Sequence, residues 1–306
     1  MDAPFEYSAN FRSQIEKLHR GKEDSPQFRE QVNAHLGGPD SRLFQFRSRL
    51  VRELEIRCGS LLGRRVLDVG CGTGATTAAL AEASRDVVAF DIDQESVNVA
   101  GERIREHGRT DHVRFFCGES IDKLPSDVGT FNVVLLNGVL QHVPRSRKGA
   151  RENLMRSAFA LLRPGGYLFI NDTPNRLWPQ DSGITGLPLL PWTPAGSRIA
   201  YELAVRLKRY EDAPFKTKGP VGLEESGAWG CTYWELWNAL KGTGAACLNL
   251  LPGQDQRVSY GARANSAKRR LERTLYIPAV KMLRVPITAF LPTLTHLVFK
   301  KPGSVA

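Results

Sequence analysis

The sequence predicts a doubly wound, parallel α/β sheet, and three observations carry that expectation. Five short runs rich in β-branched and aliphatic residues, 65–69 (RVLDV), 87–90 (VVAF), 113–116 (VRFF), 132–136 (NVVLL) and 167–170 (YLFI), recur through the middle of the chain. Helix-compatible stretches separate them, including 75–83, 94–107 and 148–162, and strands alternating with helices build a parallel sheet covered on both faces. The first run leads directly into a glycine-rich strand-to-helix turn, residues 69–74 (VGCGTG), whose backbone can approach a ligand closely.

Each segment follows in order. Residues 1–64 read as an N-terminal helical segment: 1–40 are polar and weakly periodic, and then Leu43, Phe46, Leu50, Leu54 and Cys58 recur at helical spacing until Gly59 can end the helix. Residues 65–175 form the sheet core with a ligand site, and its helix at 94–107 sets Val97, Ala100 and Ile104 on one face. Residues 176–228 are an insertion. The stretch 173–228 holds seven prolines and two tryptophans, Trp178 and Trp192, with an amphipathic helix expected to turn Ile199, Leu203 and Leu207 inward. A segment of this length in a compact domain reads as a lid or binding element. Residues 229–306 resume the core through a helix near 232–240, an apolar run at 246–251 and a last strand at 295–301 (THLVFKK), with a basic insertion between.

Composition narrows the function classes. The 306 residues carry 42 Lys plus Arg against 32 Asp plus Glu, a net charge of +10, which raises nucleic acid, anionic lipid and acidic substrates as partners. Five cysteines, odd in number and without a C-x-x-C pair, suggest neither a disulfide framework nor a zinc ribbon and point to a reducing compartment. The first 20 residues lack the apolar core of a secretory signal. The longest uncharged stretch towards the C-terminus, 285–299, is 15 residues, short of the roughly 18–20 that span a bilayer. A cytoplasmic location is the expectation.

The chemistry concentrates in residues 66–74 (VLDVGCGTG). Gly70, Cys71, Gly72 and Gly74 form the turn. Gly70, Gly72 and Ala75 also satisfy the dinucleotide pattern G-x-G-x-x-G/A, so a nicotinamide-dependent oxidoreductase is the rival. Asp68 weighs against it, since a carboxylate before the loop disfavours a pyrophosphate and suits a cationic amino acid moiety and a sulfonium. Asp91 ends the second strand 21 residues after Gly70, where a carboxylate can accept hydrogen bonds from both hydroxyls of a ribose, with Ile92 beside it.

At this point the chain resembles the class I S-adenosylmethionine-dependent methyltransferases, whose loop runs D/E-x-G-x-G-x-G and whose second strand ends in an acid. The resemblance continues in register over residues 60–175. Residues 117–120 (CGES) stand where the family has Gly-Asp-Ala against the adenine, so Glu119 is a variant of the usual Asp and Ser120 its neighbour. Residues 131–143 (FNVVLLNGVLQHV) look like the fourth strand and the loop beneath the methionine moiety, which contains Asn137, and 161–170 (LLRPGGYLFI) like the L-x-P-G-G turn and fifth strand. The resemblance implies a Rossmann-like, seven-stranded sheet with an antiparallel last strand, here with an inserted lid, and S-adenosylmethionine as methyl donor.

Residues 137–140 (NGVL) lack the Asn/Asp-Pro-Pro-aromatic signature of amino-group methyltransferases, and the segment looks more like the small-molecule branch that includes O-methyltransferases of quinone biosynthesis. Those carry an E-x-x-E-H arrangement able to bind a metal. This chain has Gly138 and Gln141 at the carboxylate positions and keeps only His142, so no metal is expected. His142 is the candidate base for a hydroxyl acceptor, with Asp172 the alternative. Asn175, Arg176 and Trp178, at the carboxyl end of the fifth strand, are candidate substrate contacts. The expected function is methylation, on oxygen, of a small-molecule, glycan or lipid-linked acceptor. A catalytically silent donor-binding protein is a second rival, and no nucleic acid is expected.

The charge is local. Between residues 256 and 301 stand ten basic residues against one acid, Glu272, whereas the rest of the chain has 32 basic and 31 acidic residues. Interleaved with Tyr276, Ile277, Val280, Met282 and Leu283, this stretch suggests peripheral contact with an anionic membrane surface.

Overall fold

The computed structural model describes residues 5–18, 26–212, 217–248, 280 and 282–303. The helices are α1 (Ala9–Leu18), α2 (Pro26–His35), α3 (Arg42–Gln45), α4 (Arg52–Cys58), α5 (Ala75–Ala83), α6 (Gln94–Glu106), α7 (Ala150–Ala160), α8 (Arg198–Arg206), α9 (Gly219–Glu225) and α10 (Tyr233–Ala239). The strands are β1 (Arg65–Val69), β2 (Asp86–Asp91), β3 (Val113–Cys117), β4 (Phe131–Asn137), β5 (Leu162–Asn171), β6 (Thr173–Pro174), β7 (Ala246–Cys247), β8 (Thr293–Leu294) and β9 (Leu297–Lys300). Hydrogen bonding orders seven of them β3-β2-β1-β4-β5-β9-β7. β1 is parallel to β2 and β4, β2 is parallel to β3, and β9 is antiparallel to β7. This is the expected doubly wound sheet with a reversed last strand.

By internal contacts the chain forms two compact units, Met1–Asn137 with Leu161–Tyr167, and Gly138–Ala160 with Leu168–Ala306. In the first, β1 and β4 are buried almost throughout, as strands covered on both faces must be, and Leu67 pairs with Val88 on one side and Val134 on the other. β5 begins at Leu162, five residues before the expected run. A Cβ on Gly166 would meet the carbonyl oxygens of Arg163 at 2.9 Å and of Phe131 and Asn132 at 3.1 Å, so only glycine lets the strand start this close to its neighbour. The weakly periodic N-terminus holds two helices, and Phe11, Ile15, Val32 and Leu36 form a cluster with Val99 of α6. The expected helix over 43–58 is present as α3 and α4 joined by a π-helical turn, Phe46–Val51.

In the second unit residues 187–229 contribute a core of their own. Ala200 and Ala204 of α8 pack with Leu187, Leu190, Leu223, Ala228 and Trp229. This reverses the expected orientation of α8: Ile199, Leu203 and Leu207 are 80%, 48% and 51% exposed, while Ala200 and Ala204 are buried. The alanine face lets the helix sit close to the bulky residues opposite, and apolar spacing alone does not say which of two faces finds a partner. All five cysteines are free thiols, four of them buried. Most of the basic stretch, including Arg257, Arg263, Lys268, Arg269, Arg270, Arg273 and Lys281, lies outside the described residues. No described helix is long and apolar enough to cross a membrane.

Candidate functional site

The glycine loop is held from below by β2. The N–H groups of Gly70 and Cys71 both donate to the Phe90 carbonyl, at 2.7 and 3.0 Å, and the N–H of Gly72 donates to Oδ2 of Asp91 at 2.7 Å. Gly70, Gly72 and Gly74 have φ of 71°, 49° and 78°, a left-handed region that side chains disfavour. Two of these glycines answer to different constraints. A Cβ on Gly74 would lie 2.8 Å from that of Ala100, so glycine lets the loop close on α6, whereas a Cβ on Gly72 would meet nothing within 4 Å. Gly72 thus fronts open space that a ligand backbone can enter.

Asp68 lies under this loop, 1% exposed. Its Oδ2 accepts a 2.7 Å hydrogen bond from the Thr77 hydroxyl on α5. Burial raises its pKa to about 7, against the lowering effect of the Thr77 bond and with a further upward push from Asp91. The charge that disfavours a pyrophosphate is therefore only partly developed near neutral pH, and a cation nearby would develop it. Burial also pushes the Cys71 thiol far up, which leaves it a small packing residue.

Asp91 has one oxygen on Gly72 and the other on the N–H of Asp93, at 3.1 Å. A carboxylate can accept about four hydrogen bonds, so acceptor capacity remains for ribose hydroxyls. Ile92, next to it, is 74% exposed, an apolar surface of the kind on which a base ring packs. After β3, Gly118 lies 3.6 Å, by its Cβ position, from the Phe90 ring. Glu119 is fully exposed and pairs with Lys123 at 2.7 Å, and Ser120 caps a short turn by accepting from the N–H of Asp122. Both are engaged at the surface by neighbours in sequence. Asn137 closes β4 onto the start of α5, its Nδ2 donating to Thr76 at 3.0 Å.

One set of residues at this loop has no counterpart in the sequence reading. Arg103 of α6 is fully buried and donates from Nε to the carbonyl of Thr73, inside the loop, at 2.7 Å, and from Nη2 to the carbonyl of His35 at 2.9 Å. Its third branch reaches the Tyr7 hydroxyl, and the rings of Tyr7 and Phe11 lie 5.0 and 4.8 Å from the guanidinium carbon. His35 also contacts the Thr73 hydroxyl, at 3.0 Å. Burial lowers the Arg103 pKa while Tyr7 opposes the shift. An arginine three residues after Ala100, within the apolar stripe of α6, was the available signal.

In the second unit, His142 is the exposed last residue of a 3-10 turn, Leu140–His142. Its Nδ1–H donates to the Glu225 carbonyl at 2.9 Å. A carbonyl only accepts, so the neutral ring carries its lone pair on Nε2. Asp172 is exposed with φ 51°, and the segments bearing the two candidate bases are joined by the Gly138 N–H donating to the Asn171 carbonyl at 2.9 Å.

Asn175 does not match its expected role. It is 3% exposed, its Nδ2 donates to the carbonyls of Ala289 and Leu291 at 2.8 Å, and its Oδ1 accepts from Leu177. The amide braces the turn at 287–291 and has no donor left for a substrate. Arg176 donates from Nη2 to Thr193 at 3.1 Å, and burial lowers its pKa, reinforced by Arg145. Trp178 is half-buried beside it.

Residues 66–166 match the model of a methyltransferase domain. The ubiquinone biosynthesis O-methyltransferase of Bordetella avium (strain 197N) is 36% identical over 115 residues, 37% of this chain and 44% of that protein. The corresponding protein of Methylococcus capsulatus (strain ATCC 33009 / NCIMB 11132 / Bath) is 35% identical over 112 residues, again 37% and 44%. The match thus spans less than half the length of these relatives. Among solved structures, the [4+2]-cyclase SpnF aligns at 18% identity and a TM-score of 0.46 over 83% of this chain and 80% of that one. Magnesium protoporphyrin IX methyltransferase from Synechocystis PCC 6803 aligns at 20% and 0.39 over 54% and 68%. Residues 66–166, which hold the glycine loop and the acid-ended second strand, therefore form a methyltransferase domain.

Proposed function

We propose that the protein transfers a methyl group from S-adenosylmethionine to a hydroxyl oxygen of a small-molecule, glycan or lipid-linked acceptor. The observation that carries this reading is the braced glycine loop, Gly72 on Asp91, within a segment similar to O-methyltransferases. The donor supplies an electrophilic methyl group on a good leaving group. Asp91 would hold the ribose while retaining the loop, Ile92, Gly118, Glu119 and Ser120 would hold the adenine, and Asp68 and Asn137 would hold the amino acid moiety. Positioning and exclusion of water are the main tasks in such a displacement.

When bound, S-adenosylmethionine would supply a methyl group whose bond to sulfur breaks as its bond to the acceptor oxygen forms, leaving the neutral thioether S-adenosylhomocysteine, and His142 would take the acceptor's hydroxyl proton through Nε2. The Nδ1–H bond to Glu225 fixes the tautomer and holds the ring. Asp172 is the alternative base. Arg176 and Trp178 supply the acceptor contacts, and the basic stretch around residues 257–284 draws the protein towards anionic surfaces where a lipid-linked acceptor resides.

The test supplies donor with a labelled methyl group to the purified protein and a cell extract from a deletion strain, followed by mass spectrometry of small molecules and glycolipids. A labelled product that forms when the protein is added to this extract, and not without it, is expected. Donor binding with no labelled product would overturn the reading.

A further inference from the structure

The inserted segment presents an apolar face that its own core does not use. Ile199, Leu203 and Leu207 are spaced four apart along α8, which places them in one stripe, and all three are exposed while Ala200 and Ala204 fill the core beneath. Leu189 and Trp192, earlier in the same segment, are 54% and 56% exposed. Solvent-facing stripes of this kind are unfavourable unless something covers them.

The end of α8 indicates what that is. The N–H of Lys208 donates to Val205 at 2.9 Å and that of Arg209 to Ala204 at 2.8 Å, the paired closure of a helix that ordinarily has glycine at its left-handed position and an apolar residue next. Here Lys208 takes that position, at φ 54°, and Arg209 follows. Both are exposed, as is Arg206. Two basic side chains therefore occupy the positions where a soluble helix would end on glycine and a buried side chain, directly after Leu207. Apolar residues on one face with cations at the margin, and an exposed tryptophan nearby, is the chemistry of a helix lying in a bilayer interface.

We propose that α8 and the Lys208–Arg209 turn form a docking surface for an anionic lipid bilayer. The proposal goes beyond methyl transfer and does not depend on it, because binding is read without donor or acceptor.

The test is co-sedimentation of the full chain with vesicles of phosphatidylcholine plus phosphatidylglycerol, at low and high salt, against phosphatidylcholine alone. Retention on anionic vesicles is expected, weakened by salt. The double variant Ile199→Glu/Leu203→Glu changes exposed positions only and should lower partitioning at least about tenfold. Lys208→Glu/Arg209→Glu should lower it by about fivefold per charge. A variant with Lys268, Arg269 and Arg270 changed to Ser should lose only salt-sensitive binding and keep the apolar partitioning that the α8 variant loses. Failure of the wild type to sediment, or unchanged binding of the α8 variant with loss in the 268–270 variant, would overturn the proposal. So would a concentration-dependent dimer that the α8 variant abolishes, which would assign the stripe to a second copy of the chain.

Discussion

The backbone N–H of Gly72 and the carboxylate of Asp91 meet at 2.7 Å across 19 residues of sequence, so the residue expected to hold a ribose also holds the loop in shape. Asp91→Ala should weaken binding of S-adenosylhomocysteine about 10- to 100-fold, the range for lost hydrogen bonds to a charged group, with little change in circular dichroism. Asp91→Asn, which keeps acceptor capacity at one oxygen, should lose less. Calorimetric titration separates the two, and unchanged affinity in the alanine variant would remove Asp91 from the donor site.

The loop glycines should respond differently to the same change. Gly74→Ala places a Cβ 2.8 Å from that of Ala100 at a positive φ, and should cost about 2–4 kcal/mol of stability. Gly72→Ala has open space around it and should cost about 1–2 kcal/mol, while its methyl group obstructs the ligand. Thermal unfolding and donor titration of both variants should therefore rank them in opposite order.

Asp68 links stability to pH. Its folded pKa of about 7 lies above the ordinary 3.8, so folding favours the protonated carboxyl. That stabilisation is whole below about pH 4 and is lost as pH rises through 7. Asp68→Asn has no proton to lose, and should unfold at a higher temperature than the wild type at pH 8 but not at pH 4. A bound cation favours the carboxylate, so donor binding near pH 7 should release protons, seen as a buffer-dependent heat of binding.

Arg103 donates to the carbonyls of Thr73 and His35 and reaches the Tyr7 hydroxyl. Arg103→Met keeps much of the apolar stem but leaves the Thr73 and His35 carbonyls without it, and should destabilise by about 2–4 kcal/mol in thermal or urea unfolding. Arg103→Lys should recover little, since a point charge cannot serve the fork of acceptors. Donor affinity should fall in both variants because Thr73 belongs to the loop.

For His142, replacement by Ala should lower turnover at least about 100-fold with a hydroxyl acceptor and leave donor affinity unchanged. Equal loss of affinity and turnover would assign the ring to positioning.

The features legible from the chain alone were local. Strand runs such as RVLDV, the glycines at 70, 72 and 74, and the acid at 91 could be read because a turn, a strand period or a helix start depends on residues within a few positions. Which partner each side chain finds depended on the folded arrangement. Asp68 read as a carboxylate suited to a cationic moiety, and it is buried with its Oδ2 on the Thr77 hydroxyl; Asn175 looked like a substrate contact and is consumed by backbone carbonyls more than a hundred residues away. Arg103, which the sequence reading did not single out, joins the N-terminal segment to the loop. The stripe on α8 had the right residues and the wrong direction, since periodicity marks an apolar face whereas the space beside Ala200 and Ala204 determines which face is buried. Long-range packing is a competition among distant segments for the same volume, and no short window of sequence contains its outcome.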